Sequence, residues 1–371
     1  MKFSISSAVL SKQLTALNGV IVNNPVVPIL ENFLFEIADS KLKVTASDLQ
    51  TSIVTELAIE AQEEVKIAIP ARILLDTLRN LPAQPITFSI DENAYNIEIH
   101  SDNGRYNLAG ENATDFPQVA TVTGHVAVNM TAEVLKKAIQ QTIIATSHDE
   151  LRPAMNGVYM NFSEEGAVFV ATDGHRLVRY TRTDLSIAAQ QPFIIPRKTL
   201  MLLGGLLTND QEAIGLTFGE SNVHFQLKGI SMVARLIDER YPDYENVIPQ
   251  NNPNQLTVSR ASLLSSLKRI AIYANRTTHQ VKIALASSKL QILAEDLDFS
   301  NKADEQLACE YEGTDLAIGF NAKLLIELLN SLAANEVIMQ LSAPNRAALI
   351  LPQEKEAQED ILLLIMPVLL Q

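Results

Sequence analysis

A short frame recurs three times along the chain, as VTASDL (Val44 to Leu49), VATDGHRL (Val170 to Leu177) and ILAEDL (Ile292 to Leu297). Each copy is an apolar, strand-forming run followed by a small residue and an acid. The marker acids Asp48, Asp173 and Asp296 stand 125 and 123 positions apart. Repeats of ~20 to 50 residues build solenoids from single supersecondary units, whereas a period this long spans a whole domain. At 371 residues the chain accommodates three such copies, at the usual ~100 to 200 residues per domain.

The flanking pattern repeats in register. Strands at Lys2 to Ser6, Val126 to Met130 and Leu256 to Ser259 each lead into a helix, from Ser7, over Thr131 to Ala145 and over Arg260 to Arg276. A second strand and helix follow in each copy: Val65 to Pro70 then Ala71 to Asn80, Phe193 to Pro196 then Arg197 to Leu207, Leu316 to Phe320 then Asn321 to Leu332. Pro70 and Pro196 close extended runs at helix starts, and Asn321 is an expected N-cap. Short alternating runs, such as Asn32 to Ile37, Gly157 to Phe162 and Val337 to Leu341, fill the rest. The fold class is therefore α+β, with two helices on one face of antiparallel strands in each domain. Polar, proline-bearing joints at Asp115 to Gly124 and Pro249 to Gln255 give domains 1–122, 123–250 and 251–371.

Hydrophobic residues make up 47% and charged residues 19%, enough for sizeable cores. The single cysteine, Cys309, excludes an internal disulfide framework. The opening MKFSISS lacks a signal-peptide core, and the apolar run Ile361 to Leu370, broken by Pro367, is too short to span a bilayer. The expectation is a soluble, cytoplasmic protein with no membrane partner.

The net charge of −14 argues against nucleic acid until its distribution is read. The six expected helices sum to +9, from Lys12; Arg72 and Arg79 against Asp76; Lys136 and Lys137 against Glu133; Arg197 and Lys198; Arg260, Lys268, Arg269 and Arg276; and Lys323 against Glu327. Strands and loops then carry −23. Helices hold lysine on any solvated face, but basic helices recurring in three domains suggest a shared anionic partner.

Enzymatic and metal chemistry find little support. Asp173 and His175 lie two apart in an expected turn without a nucleophile elbow. The six histidines, His100, His125, His148, His175, His224 and His279, are scattered singly, and no paired-cysteine or H-E-x-x-H spacing occurs. There is no phosphate-cradling G-x-x-x-x-G-K loop; Gly204-Gly205 reads as a helix irregularity. No cofactor, metal or catalytic residue is expected.

TDGHRL (Thr172 to Leu177), RYPDY with Val247 and Pro249 after it, MNG (Met155 to Gly157), IPRK (Ile195 to Lys198) and Met366-Pro367 together resemble the bacterial DNA polymerase III beta subunits, the DNA sliding clamps. The resemblance covers the whole chain in order. It implies a clamp fold of three similar domains, assembled head-to-tail as a homodimeric ring around duplex DNA. Contacts with DNA would be sequence-independent, from Arg72, Arg79, Lys136, Lys137, His148, Arg152, Arg197, Lys198, Lys268, Arg269 and Arg276. It also implies a hydrophobic cleft of Met155, Thr172, Gly174, His175, Arg176, Leu177, Pro242, Val247, Met366, Pro367 and Val368. Such a cleft takes short linear peptides of the replicative polymerase, the clamp loader and repair or translesion polymerases. Family correspondence pairs Tyr106 and Leu108, on an edge strand, with Ile272 and Tyr273 at the seam. Three departures from the family pattern stand out: Val368-Leu369-Leu370-Gln371 where relatives carry a basic group, Asn23-Asn24 before Pro25 where they carry arginine, and Pro153 for an aromatic. Past Pro367 the apolar Val368 to Leu370 has no further strand to join and is expected to serve contacts. An enzyme, or a monomeric peptide-binding scaffold that never meets DNA, are the alternatives; turnover and sizing measurements separate them.

Overall fold

The computed structural model describes residues 1–61, 63–122, 126–188 and 191–370. His125, Gln371 and the first residues after the 122/123 boundary lie outside the described residues. The first repeat runs β1 (Lys2–Ser6), α1 (Ser7–Leu17), β2 (Asn32–Ala38), β3 (Lys41–Ser47), β4 (Thr51–Ala58), β5 (Val65–Pro70), α2 (Ala71–Asn80), β6 (Pro85–Asp91), β7 (Asn96–His100), β8 (Arg105–Ala109) and the short β9 (Glu111–Asn112). The second runs β10 (Val126–Thr131), α3 (Ala132–Thr142), β11 (Gly157–Ser163), β12 (Gly166–Thr172), β13 (Arg176–Arg182), β14 (Gln191–Pro196), α4 (Arg197–Leu206), β15 (Ala213–Phe218), β16 (Asn222–Leu227) and β17 (Ile230–Arg235). The third runs β18 (Asn254–Ser259), α5 (Arg260–Ile270), β19 (Gln280–Ala286), β20 (Lys289–Asp296), β21 (Asn301–Leu307), the short β22 (Glu310–Glu312), β23 (Leu316–Asn321), α6 (Ala322–Ser331), β24 (Glu336–Leu341), β25 (Ala348–Pro352) and β26 (Glu359–Ile365).

The strands of each repeat divide between two half-sheets instead of forming one sheet. The chain forms two compact units, residues 1–136 with 198–236, and residues 137–197 with 237–371. The first holds a four-stranded sheet, β1-β6-β7-β8, and a nine-stranded sheet, β10-β15-β16-β17-β4-β3-β2-β5-β9. The second holds a nine-stranded sheet, β14-β11-β12-β13-β26-β25-β24-β18-β22, and a four-stranded sheet, β21-β20-β19-β23. Each nine-stranded sheet thus joins half of the central repeat to half of a neighbouring one, through β17 on β4 or β13 on β26, both antiparallel.

Alternation explains why these segments are strands. In β6 the side chains of Ile86, Phe88 and Ile90 are buried while those between them are not. Phe88 stacks on Phe3 with ring centroids 4.8 Å apart. The helices close the core: α1 packs on α2 and on β1, β3 and β4, while α5 packs on α6 and on β18, β20, β21 and β24. Helix α2 buries Ala71, Leu74, Leu75 and Leu78 at helical spacing and leaves Arg72, Ile73, Asp76 and Arg79 outside. Each buried leucine contributes ~1.5 to 3 kcal/mol. As expected, Asn321 caps α6, its Oδ1 accepting from the N–H groups of Lys323 (3.0 Å) and Leu324 (3.3 Å).

Two helices are shorter than their apolar pattern. α3 stops at Thr142 and α5 at Ile270, each followed by a single 3-10 turn. Beyond α5 the Asn275 side chain accepts from the N–H groups of Thr277 and Thr278, fixing a turn that competes with helix. Arg276 is therefore a loop residue, and the helical charge falls from +9 to +8.

Candidate functional site

The TDGHRL segment forms the hairpin turn between β12 and β13. Asp173 Oδ1 accepts from the backbone N–H groups of His175 and Arg176, both at 2.9 Å. Thr172 Oγ1 donates to the Arg176 carbonyl (2.7 Å) and accepts from the Gly174 N–H (3.1 Å). Gly174 sits at φ +87°, where a Cβ would be strained and would stand 3.0 Å from Arg152 Nη1. Arg152 in turn donates to the Asp173 carbonyl (3.2 Å) and pairs with Asp149 (2.9 Å). The Asp149 carboxyl is held below its usual range by the Leu151 N–H and by Arg152.

Arg176, expected among the cleft residues, is committed to partners within the chain. It is 7% exposed; its Nε donates to Asp173 Oδ2 (3.1 Å) and its Nη1 to Glu327 Oε2 on α6 (2.6 Å). A guanidinium removed from water requires such partners. The Asp173 carboxylate is thereby committed to the turn and to Arg176, which leaves it no base-orienting role toward the exposed His175 side chain.

Beneath the turn lies an apolar floor. Leu177 faces Leu364 across β13 and β26 and packs in a cluster with Val170, Ile194, Tyr241, Ile248 and Leu349. Tyr241 Oη donates to the Val170 carbonyl at 3.4 Å, and burial pushes its phenol pKa up. Tyr159 contacts the rings of Tyr241 and Tyr244 at 5.0 and 5.9 Å, and burial pushes Tyr244 up to about 12. Pro242 and Val247 flank this cluster in the chain; Val247 is 53% exposed, and Met155 and Pro242 are half-buried. On the other side, the Met366 N–H donates to the His175 carbonyl (2.8 Å), leaving the Met366 side chain exposed with Pro367 following. All eleven expected cleft residues belong to the second compact unit.

The segment after Pro367 corrects the expectation of a tail with no strand to join. Val368 forms a bridge with Gly319 of β23, its N–H on the Gly319 carbonyl at 2.9 Å. A Cβ at Gly319 would come within 2.6 Å of the Val368 carbonyl and 2.9 Å of Leu370 Cδ2. Glycine is what permits this approach, and it is the signal in the sequence that was missed. Leu369 alone of the three points outward, 77% exposed.

The eleven expected DNA-facing side chains are not equivalent. Arg197 Nη1 donates to the Ile143 carbonyl (3.0 Å) and Thr146 Oγ1 (2.6 Å), a bracing role. Lys137 lies between Glu356 (2.8 Å) and Glu359 (2.7 Å), which hold its pKa above the usual value despite burial. Lys198 pairs with Asp48, and Lys136 with Asp210 at 3.2 Å. Arg269 forks onto Glu305 (2.7 and 2.6 Å), drawing that carboxyl down to about 2. Arg79 lies 4.0 Å from Asp76, and Arg276 sits 5.6 Å over the Phe299 ring. Among the described residues Arg72, His148, Lys268 and Arg276 are exposed without a carboxylate partner. Counting charge along the helices missed this, because the neutralising acids come from distant strands and loops.

Of the seam residues, Ile272 is 76% and Tyr273 43% exposed, on the 3-10 turn after α5. Tyr106 is half-buried on the edge strand β8. Leu108 corrects the expectation: at 7% exposure it is already buried within the chain, with Ile97 as its cross-strand partner.

Comparison with known proteins gives the same order of parts. Family descriptions of the DNA polymerase III beta subunit match residues 1–120 (N-terminal domain), 129–243 (central domain) and 245–368 (C-terminal domain). The beta sliding clamp of Haemophilus influenzae is 30% identical over 348 residues, 92% of this chain and 93% of that protein. The chain belongs to the DNA polymerase III beta subunit family. The beta sliding clamp of Vibrio cholerae is similar at 29% identity over 369 residues, 99% of this chain and 100% of that one. The crystal structure of the DNA polymerase III subunit beta from Pseudomonas aeruginosa superposes with a TM-score of 0.95 at 28% identity, covering 100% of both chains. The α+β fold of three similar domains is thus the clamp fold of this family. Among the described residues no helix is long and apolar enough to cross a membrane.

Proposed function

We propose that this protein is a DNA sliding clamp, a homodimeric ring that encircles duplex DNA and tethers the replicative polymerase to it without catalysis of its own. The domains are 1–122, 123–250 and 251–371, and the setting is the cytoplasm, where replication takes place. The observation that carries the ring is an edge rule. At both junctions between repeats, the last strand of one repeat (β17 or β26) pairs antiparallel with the edge strand of the preceding repeat's other half-sheet (β4 or β13). Applied once more, the rule leaves β8 of the first repeat and β21 of the third as unmatched edges. Head-to-tail pairing of β8 with β21 of a second copy, twice, consumes both edges and closes a ring. Ile272 and Tyr273, exposed beside β21, would be covered with Tyr106 in that seam.

The cleft around Leu177 then takes extended peptides of the polymerase, the clamp loader and repair or translesion polymerases, with apolar anchors against Pro242, Val247 and Met366. Attraction to phosphate rests on fewer of the expected cations than the sequence offers, chiefly Arg72, Lys268 and Arg276, so retention on DNA is topological. Sedimentation of the chain at low concentration, with retention on nicked circular but not linear DNA, tests this reading. A monomer, or equal loss from both DNAs, would refute it. Changing Ile272 and Tyr273 together to Ala should shift the dimer toward monomer. Changing Arg72 or Lys268 to Ala should reduce the salt slope of DNA binding by ~0.9 per contact, whereas Arg197→Ala should leave the slope unchanged and lower stability.

A further inference from the structure

Arg176 is a cation buried beside the cleft floor, and its charge is neutralised twice, by Asp173 at 3.1 Å and by Glu327 at 2.6 Å. The two acids differ. Asp173 is 16% exposed and held by the turn, whereas Glu327 projects from α6 with 54% of its side chain in solvent. Arg176 therefore presents little positive charge to the cleft, and Glu327 retains unshared negative charge at its rim. The neighbouring rim is acidic too: Asp243 and Glu245, between Pro242 and Val247, are exposed. Arg152 on the facing loop is already paired with Asp149.

From this geometry we infer that Glu327 is a specificity-determining residue of the cleft, making it select extended peptides with a lysine or arginine beside their apolar anchors over those with an aspartate or glutamate there. The inference rests on the cleft being the peptide site. The mechanism is electrostatic. A carboxylate approaching Arg176 meets a guanidinium already paired with two carboxylates, one of them half in solvent; an ammonium meets the exposed part of Glu327. A partly exposed pair of this kind discriminates modestly, by about three- to fivefold. Sequence alone does not disclose this, since Glu327 lies 151 positions from Arg176.

The test uses three labelled synthetic peptides, identical in their leucine and phenylalanine anchors and differing at one flanking position, Lys, Gln or Asp. Each is titrated against the full-length dimer and against Glu327→Gln and Glu327→Asp. The wild-type protein should bind the Lys peptide about three- to fivefold tighter than the Asp peptide. Glu327→Gln should flatten that ratio while leaving the Gln peptide within about twofold, and Glu327→Asp, which keeps the charge, should preserve the order. The ratio should also shrink as salt is raised. An unchanged ratio in Glu327→Gln, or equal weakening of all three peptides, would overturn the assignment and leave Glu327 a brace. Failure of all three peptides to bind the wild-type dimer would instead overturn the cleft itself, and the inference with it.

Discussion

The two junctions between repeats share a backbone and differ in what their side chains do. At the first, Asp48 Oδ1 accepts from the N–H groups of Gln50 (3.0 Å) and Thr51 (2.7 Å), and the Arg235 N–H donates to the Gln50 carbonyl at 2.8 Å. At the second, Asp173 makes the same turn with His175 and Arg176, and the Met366 N–H donates to the His175 carbonyl, also at 2.8 Å. Thr51, paired through its hydroxyl with Thr199 at 3.1 Å, stands where Arg176 stands. Leu49, at φ +72°, stands where Gly174 does. The first junction buries a threonine pair at that place; the second carries an apolar floor, a buried guanidinium and the exposed Val247 and Met366. A repeated backbone supplies two equivalent places, and side chains make only the second fit the proposed cleft.

The comparison is broken most forcefully at its equivalent residues. Arg176→Ala should destabilise the second unit by about 2 to 3 kcal/mol, below the range for a fully buried pair because Glu327 is half in solvent. Thr51→Ala should cost only about 1 kcal/mol in the first unit. Denaturant unfolding followed by hydrogen exchange in each unit measures both, and equal losses would mean that the junctions are held alike.

Removing Met366 to Gln371 should weaken capture of a polymerase tail peptide by ~30-fold or more, about 2 kcal/mol for each anchor lost, with the dimer intact. Because Val368 also bridges to Gly319, a second variant, Met366→Ala, separates anchor loss from loosening of β23. Undiminished peptide affinity in both would move the site away from the second junction.

Acid should act unequally as well. Beside β13 and β26, Arg182 hydrogen-bonds Asp184 and holds its carboxyl below the usual range, more than burial raises it. A carboxyl depressed in the folded state contributes stability present above its unfolded value and lost as pH falls through the folded one. Protection of β13 should therefore decline as pH is lowered below about 4, and Asp184→Asn should remove that part of the decline. An identical acid profile in the variant would exclude Asp184 as its source.

The smallest effect concerns the turn itself. Leu49 in the left-handed region costs ~1 to 2 kcal/mol that glycine avoids, partly offset by glycine's greater freedom in the unfolded chain. Leu49→Gly should thus stabilise the first unit by about 0.5 kcal/mol, seen as a slight rise in its denaturant midpoint. The reverse change, Gly174→Leu, should destabilise, since a Cβ there meets Arg152.

The sequence by itself determined the threefold repeat, the strand-then-helix opening of each copy and the turn chemistry of Thr172, Asp173 and Gly174. These are local: period, capping and left-handed backbone depend on residues within a few positions of one another. It also placed Leu177, Met366 and the RYPDY segment among the site residues, through their resemblance to a family. Only the tertiary structure decided which cations remain free, because the acids that neutralise Lys137, Lys198 and Arg269 sit 219, 150 and 36 positions away. It likewise buried Leu108, folded Val368 onto Gly319 and set Glu327 against Arg176. Charge and burial are settled by neighbours in space, and antiparallel pairing between half-sheets of successive repeats brings together residues that no local pattern connects.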